Sequence, residues 1–420
     1  IRKSLVGSEM CIRDRKIYPM SRFHNLEDFR QRAKTRLPKI MFDFIDGAAG
    51  GENGSYNNYH CIERIRLLPR VLNNVVERDL TKPIFEEEFK LPFGIAPMGM
   101  CDLAWAGTDQ ALAAAAAQYQ IPLCLSTAAS TSIEQMMDAS EGKTWFQLYV
   151  GSSLEEGLEK VRRAAAAGCR TLILTVDVPE VAPRWRDLHN GFKVPFRIGP
   201  KQFMDFASHP RWVAETLWKG IPRPAHFPDP NKRQKDGTKA KGFNREETRG
   251  KVDWNFLRRL RDEWKGNLVV KGVLSPEDAL QIRDHGADAI YVSNHGGRQL
   301  DSAPSAISRL PLIREALGKG YPLIFDSGIR NGEGVVKALA LGADFVMLGR
   351  PFLYASGAAG KKGVFRMMEL LSNEISLCMA QLGVNHLDQI ERSSILDNET
   401  VFLNPQSPGT EDHLTKNYEN

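Results

Sequence analysis

From Leu91 onward, the sequence alternates between short, continuous runs of apolar residues and longer segments rich in Ala and Leu. Continuous apolar runs are typical of parallel strands that are covered on both faces, whereas a half-exposed strand shows alternation. Eight strands are predicted, at residues 91–97, 122–126, 144–150, 171–177, 268–273, 289–294, 323–328 and 345–350. The pattern therefore predicts a parallel sheet.

The segments between the strands have the length and composition of helices. Four of the clearest are residues 108–119, 154–167, 276–285 and 332–341. Gly168, Gly286 and Gly342 follow three of them, at the position where a glycine commonly ends a helix. Eight successive strand–helix units predict an α/β fold, a single (β/α)8 TIM barrel. An open, doubly wound sheet is the alternative, but the even spacing of the units favours closure.

The rest of the chain is predicted to flank this barrel. Four segments are expected: an artefact or disordered leader at 1–19, an N-terminal helical cap at 20–90, the barrel at 91–387 and a C-terminal tail at 388–420. The first fifteen residues contain no initial Met and resemble a translated sequencing adaptor, so we expect a native start at Met20. Within the cap, helices are predicted at 26–36 and 38–45.

A long insertion follows the fourth predicted strand. Ninety residues separate Asp177 from Leu268, where a loop of a few residues is usual. Residues 193–251 contain 14 Lys and Arg against 6 Asp and Glu, so this segment is more basic than the whole chain, whose formal net charge is +5. A loop of this length is usually functional or disordered, and we expect a variable basic loop at 189–252 that is both.

Composition and cysteine usage exclude several classes of protein. With 420 residues, 42% of them hydrophobic and 25% charged, the chain has the composition of a globular protein. The six cysteines form no CxxC pair, which argues against a disulfide framework and a zinc site. No apolar run approaches the roughly 20 residues of a membrane span, and no secretory segment is present. We expect a cytoplasmic protein without a metal, and no nucleic-acid partner because no binding module accompanies the basic charge.

Polar residues lie at or just after the ends of most of the predicted strands. They are Gln147 and Tyr149 at strand three, Thr175 and Asp177 at strand four with Arg184 in the loop after it, Lys271 at strand five, Ser293, His295 and Arg298 at strand six, Asp326 and Arg330 at strand seven, and, with a glycine, Gly349 and Arg350 at strand eight. The carboxyl ends of barrel strands lie on one face, so we expect these residues to converge. A histidine beside an arginine suits the binding of an organic acid by its carboxylate while a proton leaves the neighbouring carbon.

The ends of strands seven and eight also combine glycine with arginine. Gly328 and Arg330 follow one strand, and Gly349 and Arg350 follow the other. Backbone N–H groups and two guanidinium groups suit a phosphate dianion, and barrels commonly bind phosphate at this place. A pair of glycine turns with surface arginines is the alternative.

The segment 293–301, with the sequence SNHGGRQLD, resembles the active-site signature of the FMN-dependent α-hydroxy acid dehydrogenases and oxidases. The resemblance extends from about residue 26 to about residue 387. It implies FMN as cofactor and oxidation of a small L-2-hydroxy acid, with L-lactate as the expected substrate, to the 2-keto acid. It also implies electron transfer to a quinone or cytochrome and a homo-oligomer, expected to be a tetramer.

The resemblance also assigns roles. His295 would take the substrate's α-carbon or hydroxyl proton, Asp177 would hold His295, Arg298 and Arg184 would bind the carboxylate, and Tyr149 would bind the hydroxyl. Lys271 would lie near the flavin N1. The remaining expected FMN contacts are Pro97, Met98, Gly99, Ser126, Gln147 and Thr175 at the ring, Ser293 at the ring or ribityl chain, Asp326 at a ribityl hydroxyl, and Gly328, Arg330, Gly349 and Arg350 at the phosphate.

Two positions depart from the patterns of the family. Phe44 occupies a place where several members have a tyrosine that binds the substrate carboxylate, and Gly99 occupies a place where oxygen-using members tend to have alanine. Gly99 therefore favours a dehydrogenase. An oxidase that forms hydrogen peroxide is one alternative, and a catalytically silent flavin barrel that acts as a binding protein is another. Membrane-bound relatives use the insertion for membrane contact, so Phe203, Phe206, Trp212, Trp218 and Phe227 predict peripheral binding to the inner membrane, with a solvated lid as the alternative.

Overall fold

The computed structural model describes residues 19–151, 153–192, 198–227 and 252–396. Most of the expected leader and tail, and the part of the basic loop at 228–251, lie outside the described residues. In the described part, parallel strands follow one another around a single closed barrel in the same order as along the chain, and helices surround the barrel. The predicted (β/α)8 TIM barrel with an N-terminal cap and an insertion after the fourth barrel strand is therefore confirmed.

The cap precedes the barrel and contains three helices and a short hairpin. These elements are α1 (Leu26–Arg36), α2 (Lys39–Asp46), α3 (Asn53–Arg64), β1 (Lys82–Ile84) and β2 (Glu87–Phe89). Asn25 and Asp28 form a capping box at the start of α1, because each side chain accepts a hydrogen bond from the other's backbone N–H. The prediction of a helical cap did not include the hairpin, whose strands of three residues are too short to show a period.

Eight strands close the barrel. They are β3 (Phe93–Met98), β4 (Leu123–Ser126), β5 (Thr144–Leu148), β6 (Thr171–Thr175), β7 (Asn267–Val273), β8 (Ala289–Val292), β9 (Leu323–Phe325) and β10 (Phe345–Leu348). β10 pairs with both β9 and β3, which closes the sheet. Each predicted strand matches one of these. Five of them end two or three residues earlier than predicted, because the polar residues after the last ladder hydrogen bond belong to loops.

Helices cover the outside of the barrel, and three more lie in the insertion. In chain order they are α4 (Thr108–Tyr119), α5 (Ile133–Ala139), α6 (Leu154–Ala166), α7 (Trp185–Asn190), α8 (Pro200–Ala207), α9 (Pro210–Lys219), α10 (Trp254–Glu263), α11 (Pro276–Asp284), α12 (Ala306–Leu317), α13 (Gly332–Ala340) and α14 (Arg350–Leu382). α14 is kinked at Ala359 and Gly360. Gly168, Gly286 and Gly342 all have positive φ after α6, α11 and α13, as predicted. No helix among the described residues is long and apolar enough to cross a membrane.

The barrel interior is built in layers because side chains two residues apart along a strand point the same way. The hairpin residues Ile84 and Phe89 fill the N-terminal end together with Trp145 and Phe345. The layer above is apolar and consists of Cys124, Ile173, Val269, Tyr291, Ile324 and Met347. The hairpin therefore closes one end of the barrel and leaves the C-terminal end for a site.

Asp46, at the end of α2, fixes the cap to the rest of the molecule. Its buried carboxylate accepts hydrogen bonds from Arg30 in α1 at 2.7 Å, Arg186 in α7 at 2.6 Å and the Tyr354 hydroxyl in α14 at 2.7 Å. Burial acts to raise the pKa of Asp46, but the hydrogen bonds from Arg30 and Tyr354 outweigh it and lower the pKa. This anion therefore holds the end of α2 against the C-terminal face of the barrel.

The packing of the hairpin gives a test of the fold. Replacing Phe89, which is 1% exposed, with Ala should lower the free energy of unfolding by about 3–5 kcal/mol, because the cavity lies between packed aromatic rings. The matched substitution Phe203→Ala, at a side chain that is 66% exposed, should change it by less than about 0.5 kcal/mol. Chemical denaturation measures both values, and equal effects would contradict this account of how the barrel is closed.

Candidate active site at the C-terminal end of the barrel

A single cleft opens where the carboxyl ends of the strands meet the cap. Most of the predicted site residues line it: Pro97, Met98, Gly99, Ser126, Tyr149, Thr175, Arg184, Lys271, His295, Arg298, Asp326, Gly328, Arg330, Gly349 and Arg350. Gln147, Asp177 and Ser293 do not line the cleft. Each is hydrogen-bonded to a residue that does. The structure thus brings the predicted residues into one place, with these three behind the wall of the cleft.

The floor of the cleft belongs to a layer of polar side chains, in which Gln147 and Ser293 lie behind the residues that line the cleft. Ser126, Gln147, Thr175, Lys271, Ser293 and Asp326 each lie two residues after an apolar residue of the barrel interior. The Gln147 amide accepts from Ser126 Oγ at 3.0 Å and donates to Thr175 Oγ1 at 3.0 Å. These bonds join three neighbouring strands and fix the orientation of the amide.

Lys271 is the buried cation of this floor. Its Nζ lies 2.7 Å from Ser293 Oγ and 3.2 Å from the Asp326 carboxylate. Burial acts to lower the pKa of Lys271, but the attraction of Asp326 and Asp177 outweighs it, so the pKa is raised. The ammonium therefore stays charged in the wall of the cleft.

His295 lies above the floor in a hydrogen-bonded chain. Its Nδ1 is 3.0 Å from Asp177 Oδ1, and its Nε2 is 3.4 Å from the Tyr149 hydroxyl. A carboxylate can only accept, so Nδ1 carries the proton and Nε2 presents a lone pair. Burial outweighs the attraction of Asp177 and lowers the pKa of His295 below its usual value of 6.5. The neutral imidazole is therefore the main form at neutral pH.

Asp177 remains ionised beside this imidazole. Burial acts to raise its pKa, but the attraction of His295 and Lys271 outweighs burial, so the pKa of Asp177 is lowered. Among the described residues, its second oxygen, Oδ2, has no hydrogen-bond partner. The carboxylate therefore keeps its negative charge next to the imidazole.

The turn that carries His295 has an unusual backbone. His295, Gly296 and Gly297 have φ values of 58°, 64° and 75°, in the left-handed region that L side chains rarely adopt. A Cβ at Gly297 would lie 2.3 Å from the Ser55 backbone nitrogen, so only glycine fits there. The close approach of α3 therefore shapes this turn.

Two contacts from α3 hold the turn in place. The Asn58 and Asn294 side-chain amides exchange hydrogen bonds of 2.7 and 2.8 Å. Asp301, the last residue of the signature, accepts from the backbone N–H groups of Gly51 and Gly54 at 3.0 and 2.9 Å. The cap thus fixes the strained turn that aims His295 into the cleft.

Two arginines lie on the cap side of the cleft. Arg298 donates to the backbone carbonyls of Gly47 at 2.6 Å and Phe44 at 3.0 Å, and Arg184 is 3.5 Å from the Asp187 carboxylate. Phe44 lies 5.5 Å from the Arg298 guanidinium and stacks on Phe192 at 4.5 Å between ring centres. The cleft therefore combines cations with an apolar aromatic wall.

The cleft contains two further guanidinium groups, those of Arg330 and Arg350. Arg350 donates to the carbonyls of Ile45, Gly47 and Gly296 at 2.9–3.1 Å. Desolvation, together with the positive charge of Arg350, lowers the pKa of Arg330. Two neighbouring cations in a partly buried site favour an anion between them.

Several residues of the site were not predicted from the sequence. Ser327 Oγ accepts from the backbone nitrogens of Asn294 and Gly296 and donates to Asp326 at 2.8 Å. Its place directly after Asp326 was the signal available in the sequence, whereas its positive φ of 84° is visible only in the structure. Met100, Phe192 and Leu353 add apolar wall, and no motif marks them because apolar residues are common throughout the chain.

Comparison with known proteins assigns the chain to a family. A family profile described as FMN-dependent dehydrogenase matches residues 33–397. The (S)-mandelate dehydrogenase of Pseudomonas putida is 38% identical over 379 residues, which are 90% of this chain and 94% of that protein. The L-lactate dehydrogenase of Bartonella tribocorum is 38% identical over 377 residues, which are 89% of this chain and 97% of that protein.

The same family appears among solved structures. The crystal structure of the monotopic membrane protein (S)-mandelate dehydrogenase superposes with a TM-score of 0.83 at 36% identity, and the match covers 90% of this chain and 100% of the other. A match of this length in sequence and fold, with the signature residues gathered in one cleft, shows common descent. The chain belongs to the family of FMN-dependent 2-hydroxy acid dehydrogenases and oxidases.

Proposed function

We propose that this protein oxidises a small L-2-hydroxy acid, with L-lactate as the expected substrate, to the 2-keto acid and passes the electrons to a quinone or cytochrome. The observation that carries the proposal is the chain Asp177–His295–Tyr149 in a cleft that also contains Arg184 and Arg298. A neutral base and two cations suit a substrate that has a carboxylate and a removable proton.

The residues of the cleft fit FMN. The repelling pair Arg330 and Arg350 would be neutralised by a phosphate dianion, to which the backbone of Gly328 and Gly349 would add donors. The polar floor would bind the edge of the ring, with Pro97, Met98 and Gly99 at its face. Lys271 would lie where negative charge develops on reduction. When bound, FMN supplies the two-electron acceptor for the substrate.

The residues of the chain would divide the remaining work. Arg184 and Arg298 would bind the carboxylate, and Tyr149 would hydrogen-bond the substrate hydroxyl. His295 Nε2 would take a proton from the α-carbon or the hydroxyl. Asp177 would hold the required tautomer and stabilise the imidazolium that forms. Because the pKa of His295 is already lowered, the base is ready at neutral pH.

This assignment predicts the effects of two substitutions. His295→Gln should lower kcat/KM by about 10²–10⁴-fold, the usual contribution of a general base.

Since only the neutral imidazole accepts a proton, kcat/KM of the unaltered protein should stay constant as the pH falls to 6.5 and should decline only below that pH. Asp177→Asn removes an anion that raises this pKa, so the decline should shift to lower pH and the rate should fall. Steady-state pH profiles measure these effects.

The matched control is His285→Gln, directly after α11 and outside the cleft, where the imidazole Nδ1 lies 2.7 Å from the Gln281 backbone carbonyl. This variant should keep the rate and the pH profile. Turnover by His295→Gln close to that of the control, or a decline of kcat/KM already above pH 6.5, would contradict the role of His295.

A larger, aryl-substituted 2-hydroxy acid is a second candidate substrate. The stacked pair Phe44 and Phe192 lines the carboxylate end of the cleft and would accept an apolar side chain. Phe44 also offers no hydroxyl to the carboxylate, which would cost a small substrate about 1 kcal/mol of binding energy. One relative at 38% identity is named for mandelate and another for lactate, so both side chains belong in a substrate panel.

The electron acceptor is proposed to be a quinone or cytochrome because Gly99 occupies the place where oxygen-using members of the family tend to have alanine. A Cβ at Gly99 would lie only 3.0 Å from Ala128 Cβ, so alanine there would force a local shift. We therefore expect FMN reduced by substrate without oxygen to be reoxidised faster by a soluble quinone than by air-saturated buffer. Stopped-flow absorbance measures both rates, and faster reoxidation by oxygen would establish the oxidase instead.

The insertion is proposed to contact a membrane surface. Phe203 and Trp218 project from α8 and α9 with Met204, Leu217 and Ile221, and these five side chains are 65–89% exposed. Exposed Lys201 and Lys219 belong to the same two helices, and a combination of basic and apolar residues suits an anionic lipid surface. Of the other predicted aromatics, Trp212 is buried against Phe206 and donates to the Leu103 carbonyl at 3.2 Å, and Phe227 lies against Lys160.

The membrane proposal is tested with vesicles that contain anionic lipid. The double substitution Phe203→Ser and Trp218→Ser should abolish most pelleting with the vesicles, because it removes two large apolar side chains from the contact. The control Leu312→Ser, at an exposed apolar residue of α12, should pellet like the unaltered protein. Pelleting that survives the double substitution would show that this surface is not a membrane contact.

A further inference from the structure

Tyr291 is a buried titratable residue that the proposed reaction does not use. It lies on β8, two residues before Ser293, and is 0% exposed in the apolar layer beneath the floor of the cleft. Its hydroxyl is buried near the Asp326 carboxylate, and burial together with that negative charge raises its pKa, but no partner among the described residues meets it in hydrogen-bond geometry. A phenylalanine would fill the same space without leaving a polar atom unpaired. The contacts of this side chain are therefore made by its ring and not by its hydroxyl.

The ring of Tyr291 contacts the cation of the site. Lys271 Nζ lies over the ring, 4.8 Å from its centre. Ser293 and Asp326 account for two of the three ammonium protons, and the ring lies against the ammonium from the layer below. The third N–H group can therefore donate a hydrogen bond into the cleft that Lys271 lines. A desolvated ammonium over an aromatic face is one of the stronger cation–π arrangements.

We propose that Tyr291 is a positioning residue: its ring holds the Lys271 ammonium at the level of the cleft and thereby sets the reduction potential of bound FMN. This inference rests on one part of the proposed function, namely that FMN binds over Lys271. The field of a full charge falls off more slowly than that of a ring quadrupole, so the position of the ammonium dominates at the cofactor. At an effective dielectric constant of about 20, lengthening a charge–charge distance from about 4 to about 6 Å weakens the attraction by about a third.

Without the ring, the ammonium can move into the vacated space towards the barrel interior. Reduced FMN, which carries the added negative charge, would then be less stabilised. For Tyr291→Leu we expect a roughly tenfold shift of the equilibrium towards oxidised FMN, which is a midpoint potential about 30 mV more negative for a two-electron couple. Tyr291→Phe keeps the ring and should leave the potential unchanged without loss of thermal stability.

The test is spectroelectrochemical titration of the purified holoenzyme in the absence of substrate, so its result does not depend on whether any hydroxy acid is oxidised. Phe345→Leu is the matched structural control, because Phe345 belongs to the same interior cluster and packs on Phe89 and Trp145. It should lower the melting temperature and leave the potential unchanged. Tyr291→Met, which retains an unbranched apolar side chain, replaces Tyr291→Leu if the latter does not retain FMN, with the same expected shift.

The outcomes separate the possible roles. A more negative potential in the Leu or Met variant, with no change in the Phe variant, supports the proposal. Equal shifts in the Leu and Phe variants would assign the effect to the hydroxyl and overturn the role of the ring. An unchanged potential in the Leu or Met variant would overturn the proposal. An equal shift of the potential in Phe345→Leu would also overturn it. A purely structural role of Tyr291 predicts one of these two results.

Discussion

Closure of the eight-stranded barrel is the constraint on which the rest of the site depends. In a closed sheet, alternate side chains of every strand point into one interior, and residues at matching heights form a layer. Apolar residues such as Ile173 and Val269 fill the middle of the barrel, and Thr175 and Lys271 follow two positions later on the same strands. A polar floor therefore arises wherever the last inward position of a strand is polar.

The cap completes what the barrel begins. Asp46 fixes the end of α2, and Asn58 and Asp301 join α3 to the turn after β8. Because Arg298 and Arg350 donate to carbonyls at the end of α2, the cations of the cleft are held by the cap and by the barrel together. Without the cap, the left-handed turn at His295 would lose the contacts that offset its strain.

Much of this arrangement could be predicted from the sequence because it is local in the chain. Continuous apolar runs identify the strands, and the polar residues directly after them identify the floor and His295. What could not be predicted depends on contacts between distant segments. Nothing near Phe89 in the sequence indicates that it packs on Phe345, and the contacts of Asp46 come from three separate helices. Tyr291 appears in the sequence only as part of an apolar strand, and its contact with Lys271 follows from the pairing of β7 with β8.

The central claim is that the cleft binds FMN and a 2-hydroxy acid so that one enantiomer loses a proton to His295. The most direct measurement is the absorbance of enzyme-bound FMN, without oxygen, after mixing with the L and D forms of lactate and mandelate. The account predicts rapid loss of the oxidised flavin spectrum with an L acid and none with its D form. A spectrum that stays oxidised with every acid, or bleaches equally with both enantiomers, would contradict it.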